Sequence, residues 1–324
     1  MNDWCKKKFP KNGLLERIRA SKVEMAEAED QILTFLMDRV IEKKAPLAGN
    51  SVYNDRLFIK KFMPRVDNYL HHHHIDVDSV RLVAYRWYPQ SIARMPLKTV
   101  AHRALDDINK AIEELKYYRK HVFHSTTGHN ERFDLSEFNH SKLRFEKADR
   151  IVWMNCKTIE LEPNEKIIVE ITIITTTRNL NIRAEQLSIV IHQDEKTLSR
   201  MSDELKTRFA KNGLIDKIRD SKIGMTQAEK KVLAFLKNQV YEGKAPLAGN
   251  SIYVERLLIR KCMPRVSTYL HHHLIDVNSI MELARRWYPS VIGSAPRKRI
   301  THRAIDDIRE SIEELRHYRA NVFK

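Results

Sequence analysis

The stretch RIVWMNCKTIEL at 150–161 decides the fold. Its run Ile151-Val152-Trp153-Met154 is apolar at every position. That is the pattern of a strand covered on both faces, as in a sheet flanked by helices. The run ends on Asn155, Cys156 and Lys157, which puts an amide, a thiol and an ammonium at the expected strand end. Two further strand-like runs follow, KIIVEITIITTT at 166–177 and LSIVIHQ at 187–193. β-Branched residues dominate both, and the turn formers EPNE and RNLN precede them. Farther on the period becomes helical, over 222–240 and 302–319, where Ile305, Ile308, Ile312 and Leu315 share one face. A short strand at PLAGN (246–250) precedes a helix expected to start near Ser251. The order β-β-β-α-β-α, closing on a helix, predicts an α/β fold with a mixed sheet over 150–324.

Outward from this stretch, much of the chain occurs twice. KAPLAGNSVYNDRLFIKKFMPRV at 44–66 recurs as KAPLAGNSIYVERLLIRKCMPRV at 244–266, and HRALDDINKAIEELKYYR at 102–119 recurs as HRAIDDIRESIEELRHYR at 302–319. The match has a constant offset of 200 and pairs Met1 with Met201. A unit this long is a domain or part of one, not a solenoid repeat. RIVWMNCKTIEL and the two runs after it have no counterpart in the first copy, which starts downstream of them. The expected organisation is a partial unit at 1–124, a polar linker at 125–149 and a full-length unit at 150–324. A half-sheet exposes a strand edge, so the first unit is expected to need cover from the second unit or from another chain.

Composition narrows the class. The 324 residues are 42% apolar and carry a formal charge of +16. The excess is spread, +7 over residues 1–124 and +9 over the rest. A basic globular chain suits nucleic acid or another polyanion. The three cysteines, Cys5, Cys156 and Cys262, lie far apart, which argues against a disulfide framework or a cysteine-zinc site and fits a reducing intracellular compartment: cytoplasm, nucleus or mitochondrion. No apolar run reaches membrane-span length and none has the form of a signal peptide.

The runs IVWM, PLAGNS followed by an acidic residue, IDV with RRWYP, and HRAIDDIRESIEEL together resemble oligoribonuclease, a 3′→5′ exoribonuclease of the DEDDh group with an RNase H-like fold. The resemblance covers about 147–324 as a whole domain and 1–124 as the later two-thirds of another. It implies a duplicated RNase H-like exonuclease fold whose first copy lacks three N-terminal strands. It also implies two-metal hydrolysis of short RNA, with Mg²⁺ or Mn²⁺ held by four carboxylates and a histidine as general base. On this chain the resemblance assigns the base to His302 and His102. It assigns metal positions to Glu255 and Asp307 in the second unit and to Asp55 and Asp107 in the first. Leu161, Ser251, Ser51 and Trp4 take substrate-binding positions. The first two carboxylate positions, an Asp-x-Glu, read Asn155 and Lys157. Two negative charges are replaced by one positive charge. At ~4 Å and an effective dielectric of ~20, each unit pair is worth about 4 kcal/mol. Lys157 is expected to enter the vacated region and pair with Asp307 or Glu255.

The substrate-capping positions also differ. The Tyr-Arg pair of the family reads His72-His73 and His272-His273, and the Ser after IDV reads Asp78 and Asn278. A metal reading of the runs HHHH (71–74) and HHH (271–273) is disfavoured if they form strand, because consecutive side chains alternate faces. Arg297-Lys298-Arg299 is a candidate phosphate contact. The first expectation is an oligoribonuclease-like protein with lost or impaired catalysis that binds short RNA or serves as a partner surface, its two units pairing within the chain or with another copy or an active paralogue. The alternatives are an active two-metal exoribonuclease and a structural or regulatory partner without affinity for nucleic acid.

Overall fold

A computed structural model describes residues 13–96, 104–125, 147–162, 165–299, 301 and 303–324. In the first part, α1 (Leu14–Ala20) and α2 (Met25–Met37) lead to β1 (Leu47–Gly49), α3 (Tyr53–Phe62), α4 (Pro64–Tyr69), β2 (His74–Asp76), α5 (Val77–Trp87), α6 (Pro89–Ala93) and α7 (Ala104–His121). In the second part, β3 (Ile151–Glu162), β4 (Glu165–Thr176) and β5 (Ile182–Val190) come first. They are followed by α8 (Glu195–Ser199), α9 (Asp203–Lys211), α10 (Leu214–Asp220) and α11 (Met225–Gln239). Then come β6 (Leu247–Gly249), α12 (Tyr253–Cys262), α13 (Pro264–Tyr269), β7 (Leu274–Asp276), α14 (Val277–Trp287), α15 (Pro289–Gly293) and α16 (Ala304–Asn321).

The sheet is mixed, in the order β5-β4-β3-β6-β7. β3, β4 and β5 form an antiparallel meander, while β3 pairs parallel with β6, and β6 with β7. Both faces of β3 are covered, which is why its run lacks polar alternation. Ile151 and Trp153 join Ile308, Ile312 and Leu315 of α16. Val152 and Met154 join Val232 and Leu236 of α11 and Ile259 of α12. β3 continues well past the expected end at residue 155, because β4 pairs with it as far as Glu162. Its parallel partner is much shorter and meets it only at Val152 and Trp153. Asn155 and Lys157 are therefore mid-strand residues beyond the end of β6, just before a register shift between Lys157 and Thr158. Gly249 ends β6 with no room to spare: a Cβ there would sit 3.0 Å from Ile252 Cδ1 and 3.6 Å from the Met154 carbonyl.

Positions 200 apart meet across a common core. Ser79 Oγ donates to the Leu274 carbonyl and Ser279 Oγ to the His74 carbonyl, at 3.0 and 3.1 Å. Each serine oxygen accepts in return, from Asp276 N–H and Asp76 N–H, both at 2.9 Å. Phe123 and Phe323 form an antiparallel bridge with stacked rings. Trp87 packs edge-on against Phe323, and Trp287 against Phe123. Arg319 lies over Trp87 and Arg119 over Trp287. These reciprocal contacts give the core an approximate two-fold relation between residues i and i+200.

The cover expected for the first unit is present on one side only. α5 packs against β7 and α14. The outer edge of β1 meets no strand among the described residues, where β6 has β3. The helix faces that would flank such a strand are bare. Ile108 and Ile112 are 54% and 47% exposed, against 2% and 0% for Ile308 and Ile312. Phe58 is 67% exposed, against 9% for Leu258. No helix among the described residues is long and apolar enough to cross a membrane.

Candidate active site

A cleft opens where β3 outruns β6. Asn155, Gly249, Asn250, Glu255, Lys298 and Asp307 are among the residues that line it. Parity along β3 sends Asn155 and Lys157 to the same face as Trp153, the face that α16 covers. Asp307 lies in the first turn of that helix, where the dipole favours a carboxylate. Lys157 Nζ donates to Asp307 Oδ2 at 2.5 Å, with the two side chains 15% and 33% exposed. The expected pairing of Lys157 with Asp307 is thus present. Glu255 comes from the first turn of α12 and is buried. Burial pushes its carboxyl up to about 8, although backbone N–H groups, one of them Cys156 N–H, favour its anion. At neutral pH it holds its proton. Asn155 Oδ1 is buried without a hydrogen-bond partner.

These donors do not suit a pair of hard divalent cations, which need several anionic oxygens. Asp307 is already held by the Lys157 ammonium and Glu310 by Arg299, burial disfavours the anion of Glu255, and Asn155 offers only an amide carbonyl. Cys156 is no substitute nucleophile. Burial pushes its thiol well up, and only the thiolate is reactive.

The serines after the two GN turns are fixed in place by the protein. Ser251 and Ser51 adopt left-handed backbone, φ 51° and 48°, which costs a non-glycine residue energy unless its surroundings hold it there. The hold comes from Asp276 and Asp76, whose carboxylates accept the Ser251 and Ser51 N–H at 3.0 and 2.9 Å. The hydroxyls face positions 278 and 78. Asn278 Nδ2 donates to Ser251 Oγ at 2.8 Å, while Ser51 Oγ donates to Asp78 Oδ2 at 2.6 Å. Asn250 extends the network to Glu314 and Ser311, and Lys298 reaches Glu314 at 3.0 Å. Sequence reading missed Asn250, Glu310, Glu314 and Ser311. The first lies inside the PLAGNS motif and the others fall at helical spacing on the face after Asp307, so the signal was there.

The remaining expected residues are dispersed. Leu161 lies at the far end of β3 and packs with Ile159, Leu198 and Phe209. Asp55 starts α3, and Asp107 in the first turn of α7 is half-exposed with Lys110 at 4.0 Å. No strand among the described residues pairs with the outer edge of β1 to bring in further donors. His302, His102 and Trp4 lie outside the described residues. α16 starts at Ala304, and Thr301 Oγ1 bonds Asp306 at 2.8 Å. Arg299 pairs with Glu310 and Lys298 with Glu314, so two of the three candidate phosphate contacts already have carboxylate partners.

The histidine runs correct the alternation argument. Residues 71–73 and 271–273 form bends ahead of β2 and β7, not strand. The rings therefore cluster, with centroids 4.0–5.0 Å apart in the first trio and 4.0–5.2 Å in the second.

A family model for the RNase T exonucleases matches residues 1–115 and 152–315. A probable oligoribonuclease of Caenorhabditis elegans is 44% identical over 174 residues, 54% of this chain and 89% of the relative. The oligoribonuclease of Rhodococcus jostii is 43% identical over 176 residues, 54% and 88% of the two chains. The human mitochondrial oligoribonuclease is 41% identical over 177 residues, 55% and 75%. Among solved structures, Escherichia coli exonuclease I in complex with a 5cy-dA13 oligonucleotide aligns over 53% of this chain and 41% of its own, at a TM-score of 0.39 and 11% identity.

Proposed function

We propose that this chain, which belongs to the RNase T exonuclease family and within it resembles the oligoribonucleases, is a duplicated oligoribonuclease-like protein that binds short RNA in the cleft of its second unit and hydrolyses it poorly or not at all. The units are 1–124 and 150–324, joined by 125–149 and paired within the chain. One observation carries this reading: the Lys157 ammonium lies 2.5 Å from Asp307, where the family arrangement calls for a carboxylate and a divalent ion. The ammonium is paired with Asp307 in the free chain, and an RNA phosphate would compete with that carboxylate for it. An ammonium cannot lower the pKa of an attacking water or bridge two oxygens, which is what a metal pair supplies.

The test is a diribonucleotide incubated with the pure chain in Mg²⁺ or Mn²⁺, together with anisotropy on a labelled short RNA without metal. No turnover is expected, and binding should weaken as salt rises because phosphate contacts release counterions. Turnover comparable to an active oligoribonuclease would overturn the loss of catalysis. Absence of binding at low salt would favour a purely structural or regulatory partner.

A second reading rests on the first unit, which keeps Asp55 and Asp107 and whose β1 has no strand on its outer edge among the described residues. A strand carrying Asp-x-Glu and paired at that edge would complete an exonuclease metal set. Metal-dependent turnover abolished by Asp107→Asn and untouched by Asp307→Asn would support it.

A further inference from the structure

The two histidine trios have similar ring arrangements but different partners. In the second trio His273 has a different neighbour at Nδ1. Arg81 Nη2 lies 3.4 Å from Nδ1, and arginine only donates, so Nδ1 accepts there. Nε2 therefore carries the proton, and it faces Asp78 Oδ2 at 3.6 Å. In the first trio His73 Nδ1 lies 3.0 Å from Glu282 Oε1. Glu282 also accepts from Arg286 through Oε2 at 2.5 Å, so it is a carboxylate acceptor on both oxygens. A carboxylate only accepts, so His73 Nδ1–H donates to Glu282 and Nε2 is the nitrogen left to face an ion. An imidazole whose Nδ1–H is anchored on a carboxylate, with Nε2 left over, is the arrangement that orients metal-binding histidines.

The neighbours of His73 fit. His72 is exposed, and one ligating atom from each of His71, His72 and His73 falls within 4.8 Å of the others. His71 Nδ1 accepts the His73 N–H at 3.1 Å. His71 can therefore join as a third ligand only by releasing that bond, and His72 and His73 form the starting pair.

We propose that His72 and His73, steadied by Glu282 from the second unit, form a binding site for a borderline divalent ion such as Zn²⁺ or Ni²⁺, with water or His71 completing the shell. Neutral imidazoles suit such ions better than hard Mg²⁺. The site spans the two units, since the ligands precede β2 and their anchor lies on α14. The second trio is its internal control, because His273 Nδ1 faces the Arg81 guanidinium where His73 Nδ1 has a carboxylate.

The experiment is Zn²⁺ titration of the tag-free, reduced full chain against a chromophoric chelator. One tight equivalent is expected. His72→Ala/His73→Ala should lose it with an unchanged circular dichroism spectrum, while His272→Ala/His273→Ala keeps it within about two-fold. Glu282→Gln should weaken it ~10–100-fold, the usual effect of removing such an anchor. Uptake by His72→Ala/His73→Ala equal to that of the parent chain would overturn the proposal. Equal losses from the two double variants would overturn it as well.

Discussion

At the scale of single residues, charge decides what the cleft can do. Lys157 replaces a negative group with a positive one, and the contact to Asp307 shows where the charge goes. If the ammonium serves as the phosphate contact, Lys157→Ala should weaken short-RNA binding ~10-fold and reduce the salt slope by about one unit. Fluorescence anisotropy at several salt concentrations reads both. Glu255 gives a prediction about pH. Burial raises its carboxyl to about 8 from an ordinary 4.5, so between those values the folded chain binds a proton that the unfolded chain has lost. Its contribution is therefore complete below ~4.5 and disappears as pH rises towards 8, with a slope of at most about 1.4 kcal/mol per pH unit. Denaturant unfolding across pH 5–8 should show this decline, and Glu255→Gln should flatten it. Asn155 and Lys157 were legible in the sequence as departures from the family motif. The proton on Glu255 was not, because a sequence shows the carboxyl and not the α12–β3 packing that dehydrates it.

At the scale of elements, β3 organises the second unit by being apolar on both faces. Trp153 is fully buried and donates to Thr176 Oγ1 at 3.0 Å, so Trp153→Ala should cost about 3–5 kcal/mol, measured by urea unfolding. The meander and β6 follow from β-branched runs and the PLAGN repeat, and the sequence showed their order, but β7 at Leu274–Asp276 was not expected as a strand. Sequence reading placed the end of β3 too early, since the composition change at Asn155 marks the end of β6 pairing and not the end of the strand. Pairing with β4 continues to Glu162 because the meander supplies a partner that the local sequence does not announce. The histidine bends were misread for a similar reason. Residues 71–73 look continuous with the strand IDV, yet β2 starts only at His74.

At the scale of the whole molecule, residues from both halves of the chain share one core, and among the described residues the five-stranded sheet is built by the second half. Ser79 and Ser279, matched positions of the repeat, make reciprocal bonds to the carbonyls of Leu274 and His74. What the sequence could not show is how unequal the environments of matched residues become. Ile308→Ala should cost about 2–5 kcal/mol. Ile108→Ala at the matching exposed position should stay within about 0.5 kcal/mol, and the same unfolding experiment compares them. Equal costs would mean that the bare face of the first unit is covered in solution. The central claim concerns the second unit, where an ammonium stands in for a metal-binding carboxylate. It is tested most directly by diribonucleotide hydrolysis in Mn²⁺, run on the parent chain and on Asn155→Asp/Lys157→Glu. The account predicts no turnover above background for the parent chain, and hydrolysis gained by the variant if the rest of the site is competent. Sustained turnover by the parent chain, lost on Asp307→Asn, would contradict it.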